Sequence, residues 1–406
     1  MARLGFEPFD PLAPKQVCRK FLSTMAGIAY KGRAPLIDLL NCSEVIPKNS
    51  LHSIADSGIS LHSKTAKTEY RNRLIMLSII LIGTALRFYG IQSGWHGFDE
   101  MVTLNLGQAD WTTFRRIIWI REMNMVGYYA LVRLWLNLDP DVSHSTMTFV
   151  RCLSALFSVA TIPTLYVLGK KLFNENVGLL AAGLLAINQF HIKYAQNARS
   201  YALFVFLVTL ATLVLVNNLK TINPRWNGYA GVWILAVYIH VFAFFFLAAH
   251  LIWMIYAGLR PKVTQLAWLF GGIMPMALWT LMHRGLLGVP PTTVSGVAGL
   301  FAILVGDDGP FLLFLAVLAM LPMIVFPAKD GWSVKLLLDW ALAPVMLAIL
   351  ASFIQPCFLP RYLIPCLPAT TLLTAAGIER LKILPAVVLM ALIVFGMLMG
   401  TRSIGA

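Results

Sequence analysis

From Arg73 to the C-terminus the chain alternates long apolar runs with short polar breaks. An α-helix rises 1.5 Å per residue, so about 20 apolar residues cross the ~30 Å hydrocarbon layer of a bilayer. Runs near that length recur at 73–91, 148–169, 177–193, 200–219, 264–282, 310–327, 336–355, 361–378 and 383–400. Residues 226–258 hold two shorter helices that meet near His240. The runs are unbroken rather than alternating at every second residue, which argues against a β-barrel. Composition agrees. Of 406 residues, 58% are hydrophobic and 12% charged, against roughly 25% charged in an ordinary soluble domain. A soluble enzyme, a disordered chain and a coiled coil are excluded. The expected fold is an all-α polytopic membrane protein with about 11 transmembrane helices.

Charge sets the expected topology. Lys plus Arg is 32 and Asp plus Glu is 18, an excess of +14. In a soluble protein such an excess points to nucleic acid. Here the basic residues fall mostly in the breaks, where Lys and Arg mark cytoplasmic loops, so no nucleic-acid partner is expected. Placing Lys170–Lys171, Lys220, Lys262, Lys329, Lys335 and Lys382 inside leaves 92–147 as an outer loop. The apolar piece 125–138 then has to be interfacial or re-entrant, because about 14 residues give only about 21 Å of helix. Residues 1–72 are polar and weakly periodic and lack the order of a signal peptide. They read as a disordered extension preceding a 73–400 membrane domain. Five cysteines are present, none in a CxxC pair, so no zinc or redox motif is read. Cys357 and Cys366 fall near one membrane face.

The informative polar residues face outward. Asp99 and Glu100 follow the first span. Either is a solvated loop acid or a general base at the membrane surface. Glu122, in Arg121-Glu122-Met123-Asn124-Met125, is a second outer acid, or it caps the helix that follows. Gln196, Asn197, Arg199 and Tyr201 form a third cluster. There Arg199 either snorkels or binds a phosphate or sugar through paired hydrogen bonds. His240 interrupts an apolar run. It is either a satisfied core histidine or a functional intramembrane group. Arg361 opens a span from outside, as an interfacial anchor or a ligand for a lipid-linked phosphate, and Pro360, Pro365 and Pro368 bend that segment. A transporter or flippase of a lipid-linked substrate is the alternative class. It predicts ionisable residues at mid-membrane in symmetry-related halves, whereas these cluster at one face.

The order Leu86-Arg87-Phe88-Tyr89-Gly90, Phe98-Asp99-Glu100, Arg121-Glu122-Met123-Asn124-Met125 with Tyr128-Tyr129, Tyr194-Ala195-Gln196-Asn197-Ala198-Arg199-Ser200-Tyr201, Tyr238-Ile239-His240 and Arg361-Tyr362-Leu363-Ile364-Pro365 resembles the GT-C membrane glycosyltransferases. Within them it is similar to bacterial relatives of the dolichyl-phosphate-mannose protein mannosyltransferases. The resemblance covers about residues 73–380. It implies a GT-C bundle whose outer loop carries short interfacial helices, in the cytoplasmic membrane with the active site on the outer face. It also implies a polyprenyl-phosphate sugar donor, an acceptor protein, lipid or glycan, and transfer with inversion. Asp99 maps onto the family's base, with Glu100 and Glu122 as further catalytic candidates. Asn124, Tyr128, Gln196, Arg199, Tyr201, His240, Arg361 and Tyr362 are the substrate-binding candidates, with Arg361 and Arg199 on the leaving phosphate. Some members use a divalent ion, for which Glu122 and His240 are the candidate ligands. Two departures stand out: Asn124-Met125-Val126 replaces a frequent His-Pro-Pro, and Asn197 replaces a frequent Glu.

Overall fold

The computed structural model describes residues 48–92, 97–120, 124–138, 146–221, 224–259, 262–282, 331–354, 357 and 359–380, with side chains from Lys67 onward. The chain divides into two compact units, Met1–Tyr70 and Arg71–Ala406. In the first unit, the described residues belong to helix α1 (Lys48–Phe88). Helix thus covers part of the segment expected to be disordered. Extending an existing helix costs far less than nucleating one, so an apolar span at 73–88 can carry its helix back into polar sequence. Residues 1–47 lie outside the described residues, as do the expected spans 310–327 and 383–400.

Every regular element among the described residues of the second unit is helical. After α1 come α2 (Phe98–Gln108), α3 (Trp111–Ile120) and α4 (Val126–Leu136), all too short to cross a bilayer. Then follow α5 (Thr146–Leu172), α6 (Glu175–Ala186), α7 (Gln189–Ala195), α8 (Tyr201–Leu219), α9 (Trp226–Ile239), α10 (Ala243–Tyr256), α11 (Val263–Met282) and α12 (Gly331–Ser352). A 3-10 turn, Pro360–Cys366, leads into α13 (Leu367–Arg380). By length and composition, Thr146–Leu172, Tyr201–Leu219, Val263–Met282, Gly331–Ser352 and Arg361–Arg380 can each cross a membrane. The protein is a multi-pass membrane protein. The helices α9 and α10 meet at His240, as the sequence predicts.

Short loops make sequential helices antiparallel, so the chain segregates its polar residues by end. Lys170, Lys171, Lys220, Arg225, Lys262, Lys335 and Arg380 fall at one end of the bundle. That end is tied together by Ser333 Oγ donating to the Leu172 carbonyl at 3.1 Å, by Asn174 Nδ2 donating to Glu379 Oε1 at 2.9 Å, and by Lys220 Nζ donating to the Lys171 carbonyl. The opposite end receives the C-termini of α1, α7 and α9 and the N-termini of α5, α8, α10 and the 3-10 turn. Close approach of α5 and α6 depends on glycine. A Cβ at Gly178 would lie 2.6 Å from the Tyr166 carbonyl oxygen, and one at Gly169 would lie 2.8 Å from Gly178 Cα. Small residues at such contacts let helix backbones approach in a medium that gives no hydrophobic drive.

The expected span 177–193 is broken, and Arg87 shows why the break is stable. At the break the α6 carbonyl Leu185 O accepts a turn bond from Asn188 N at 3.3 Å, and Ala186 O lies past the last helical donor. Arg87 Nη2 and Nη1 donate to them at 3.1 and 2.9 Å. Its remaining N–H groups go to Gly83 O (2.8 Å), Ser158 Oγ (2.7 Å) and His191 Nδ1 (2.8 Å). All five guanidinium donors are therefore used, and Arg87 is fully buried. On the far side of the break Asn188 caps α7 by accepting from His191 N at 2.9 Å. Lysine has three donors on a compact head. Arg87→Lys is therefore expected to leave buried acceptors unmet and cost at least about 2 kcal/mol, read as a lowered unfolding temperature of the purified protein. An unchanged temperature would remove Arg87 from this role.

Candidate active site

Gly97 starts α2 without a side-chain cap, so Asp99 and Glu100 stand in the first turn, where the helix dipole favours carboxylates. Successive residues on a helix point about 100° apart. The two acids therefore face different surroundings. Glu100 points inward and is buried. Arg151 grips it with Nε on Oε1 at 2.9 Å and Nη2 on Oε2 at 2.7 Å, and the Ala198 N–H donates to Oε1 at 2.7 Å. Burial alone raises the Glu100 pKa. The Arg151 hydrogen bonds, the Ala198 N–H, the Arg151 charge and the Gly97 N–H outweigh it and hold the carboxyl below its ordinary value. Glu100, a catalytic candidate in the sequence, is thus a buried ion whose two carboxylate oxygens are engaged.

Asp99 points to the surface. Its Oδ2 lies 3.1 Å from Arg361 Nη1, and the two side chains are 38% and 35% exposed, against 3% for Glu100 and 5% for Arg151. One acid is accessible and the other is sealed. Arg361 enters from the 3-10 turn, some 260 residues later in sequence, so the fold itself makes this pair.

Arg199 lies behind Asp99. Its Nη1 donates to Asp99 O (3.1 Å), Tyr129 OH (3.1 Å) and Thr103 Oγ1 (3.4 Å), and Arg199 is buried. The 196–200 turn that carries it is held on several sides. Gln196 Nε2 donates to the Tyr89 and Leu86 carbonyls at 2.8 and 3.2 Å and so closes the end of α1. Ser154 Oγ donates to Arg199 O at 3.1 Å, which leaves the Tyr128 hydroxyl to donate to Ser154 at 3.2 Å. Gln196 and Tyr128 were expected to bind substrate. In the structure Gln196 Nε2 and the Tyr128 hydroxyl contact the scaffold.

The rest of the site is an aromatic wall. The His240 ring stacks on Phe204 with centroids 4.9 Å apart and planes 5° apart. Tyr362 meets His240 edge-on at 4.9 Å and Phe242 at 4.6 Å, and Tyr201 lies 5.9 Å from His240. Arg361 Cζ sits 5.7 Å from the Tyr362 ring centre. Because the Phe242 N–H donates to His240 Nδ1 at 3.2 Å, neutral His240 carries its proton on Nε2. His240 Nε2, the Tyr201 hydroxyl and Arg361 Nε are buried with no hydrogen-bond partner among the described residues. Asn124 sets the approach of the loop to this wall. Its carbonyl and its Oδ1 both accept from Val241 N, at 3.0 and 3.3 Å. Gly127 permits it, since a Cβ there would lie 2.9 Å from the Tyr238 carbonyl oxygen.

Of the expected site residues, Asp99, Arg199, Tyr201, His240, Arg361 and Tyr362 come together, Asn124 adjoins them, and Glu122 lies outside the described residues. Among the described residues no three His, Cys, Asp or Glu side chains gather as metal ligands. Arg361 engages Asp99, and packed rings enclose His240. The sequence reading missed Arg151, Tyr129 and Thr103. For Arg151 a signal existed, since it is the sole charged residue in the apolar run 148–169.

The multi-pass helical fold is similar to that of the GT-C membrane glycosyltransferases. The model of the family described as dolichyl-phosphate-mannose-protein mannosyltransferase matches residues 130–283, which includes Arg151, Arg199 and His240. Among solved structures, the chain is similar to ArnT from Cupriavidus metallidurans, with a TM-score of 0.54 at 12% identity, over 78% of this chain and 60% of that one. It is also similar to the Archaeoglobus fulgidus oligosaccharyltransferase in the apo form, with a TM-score of 0.50 at 14% identity, over 80% of this chain and 52% of that one. The chain therefore spans between half and two thirds of the length of these proteins. No curated protein sequence matches it.

Glu100 makes a signed prediction. A carboxyl whose folded pKa is lowered stabilises fully above its ordinary value, about 4.5 here, and loses that contribution as pH falls through the lowered value. Glu100→Gln leaves Arg151 buried without its counter-ion and is expected to cost about 3 kcal/mol at neutral pH. Thermal unfolding of both proteins across a pH series should show the gap closing below pH 4.5. A gap independent of pH would contradict the assignment.

Proposed function

We propose that the chain is a glycosyltransferase moving a sugar from a polyprenyl-phosphate carrier to an acceptor hydroxyl on a protein, lipid or glycan. The domain responsible spans 73–400, with its catalytic loop over 92–147. The observation that carries this reading is the set of buried donors without acceptors, His240 Nε2–H, Tyr201 O–H and Arg361 Nε–H, beside the accessible Asp99–Arg361 pair. Donors that lack acceptors suit a ligand rich in acceptor oxygens, and a guanidinium suits an oxyanion best. A phosphosugar supplies both a phosphate and ring oxygens.

In the reaction, the acceptor hydroxyl oxygen attacks the anomeric carbon as the bond from that carbon to the phosphate oxygen breaks. Asp99 takes the hydroxyl proton. The departing phosphate keeps the bonding electron pair, and Arg361 and the charge of Arg199 stabilise it. A single displacement of this kind inverts the anomeric centre. The aromatic wall of Tyr201, His240 and Tyr362 holds the sugar, and Asn124 keeps the loop on it. Glu100 and Arg151 do not touch substrate; they fix the backbone from which Asp99 and Arg199 project. The cluster of Lys170, Lys171, Lys220 and Lys335 at the opposite end supports a cytoplasmic assignment for that end. The site then opens on the outer face of the cytoplasmic membrane.

The test is sugar transfer by the purified full chain from a panel of polyprenyl-phosphate sugars, with carrier binding measured separately. Asp99→Asn should lower turnover by about 10²–10⁴-fold while carrier binding is kept. Arg361→Gln should weaken both. Turnover of Asp99→Asn at the wild-type level would remove the base.

A further inference from the structure

Helix α3 has a surface that the site does not use. Phe114 and Ile118 are buried on one side, while Trp111, Arg115, Arg116, Trp119 and Ile120 are exposed on the other. The exposed arc carries two guanidinium groups and no carboxylate. The nearby acid, Asp110, is spent on the start of the helix, where its Oδ1 accepts from Thr113 N at 2.9 Å and from the Thr112 hydroxyl. Arg115 and Arg133 lie 5.9 and 5.7 Å from the Trp111 ring centre, so the patch has an aromatic base under its cations.

The location of this patch decides what it can meet. Trp119 packs on Trp279 with ring centroids 5.2 Å apart. Trp279 is near the end of α11, a helix long and apolar enough to cross the membrane, whose neighbouring Leu278, Leu281 and Met282 are exposed. Exposed leucines and methionine at the end of a helix long and apolar enough to span suit a lipid-facing surface. The α3 patch is therefore continuous with a lipid-facing surface and lies at the level where hydrocarbon gives way to headgroups. Indole rings favour that level, and guanidinium groups pair with phosphate oxygens.

We propose that the exposed face of α3 binds the headgroup layer of anionic phospholipid, with Trp111 seated at the interface and Arg115 and Arg116 on lipid phosphates. Juxtamembrane basic residues are drawn to anionic lipid, and salt screens that attraction. Neutral lipid offers the same interface for Trp111 without the net charge for the two arginines. The proposal is independent of the transfer reaction above.

The experiment uses the full chain in nanodiscs of phosphatidylcholine alone or of equimolar phosphatidylcholine and phosphatidylglycerol. Hydrogen–deuterium exchange is followed over residues 110–120. Exchange should be several-fold slower in the anionic discs, and the difference should shrink at high salt. Arg115→Gln/Arg116→Gln should abolish the difference, whereas Arg115→Lys/Arg116→Lys should keep it. Unchanged exchange over α5 and α8 shows that the variants remain folded. Equal exchange in the two membranes would overturn the proposal, as would a difference that survives loss of both charges. Equal protection in both discs that also survives the double substitution would point instead to a covering protein segment.

Discussion

The buried ion pair of Glu100 and Arg151 is the interaction on which the rest of the site depends. Both charges are sealed from water, with the carboxylate taking both arms of the guanidinium and an N–H from Ala198. A charge removed from water is tolerated only when its hydrogen-bonding capacity is met. That requirement fixes three separate pieces of chain at once: α2, α5 and the 196–200 turn. Asp99 and Arg199 are the direct neighbours of residues in this clasp. Their positions follow from it, as do the contacts from Arg199 to Asp99 O and Tyr129 OH.

A second constraint is the alternation of helix direction. With short loops, each helix returns the chain to the opposite end, so polar residues separated widely in sequence collect at two levels. The basic level is held by simple carbonyl and amide contacts such as Ser333 to Leu172. The other level collects Asp99, Arg199, His240 and Arg361. Arg87 links the two constraints. It closes the broken end of α6 and itself belongs to the segment that Gln196 caps.

Much of this was legible in the sequence, and for a physical reason. A bilayer demands unbroken apolar runs, so the spans at 148–169, 200–219 and 264–282 could be marked closely, and the junction at His240 stood out as a polar interruption. The residues Asp99, Arg199 and Arg361 were visible as charges at span ends. What could not be read was their engagement. Asp99 and Glu100 are adjacent and chemically alike, and only the orientation of α2 separates a sealed acid from an accessible one. The roles of Gln196 and Tyr128 were hidden similarly, since a side chain that satisfies a carbonyl looks in sequence like one waiting for a ligand. The break in 177–193 was missed because Arg87, which stabilises it, lies about a hundred residues earlier. The 125–138 piece, read as interfacial or re-entrant, packs Tyr128, Tyr129 and Val132 into the core and exposes Leu134 and Leu138.

The difference between the two acids also sets what each can do. A half-exposed pair such as Asp99 and Arg361 is worth at most about 1 kcal/mol, because water competes for both partners. An incoming phosphate can therefore take the guanidinium without disturbing the fold. In the proposed reaction this exchange has a consequence for the order of events. While Arg361 holds Asp99, the guanidinium occupies the carboxylate oxygen Oδ2. Once the carrier phosphate draws Arg361 away, that oxygen is open to the acceptor hydroxyl while the leaving group is in place. The Glu100–Arg151 pair cannot serve this way, since opening it would strand a charge in the protein interior. In the proposed reaction, accessibility rather than residue type gives the chemistry to Asp99 and the architecture to Glu100.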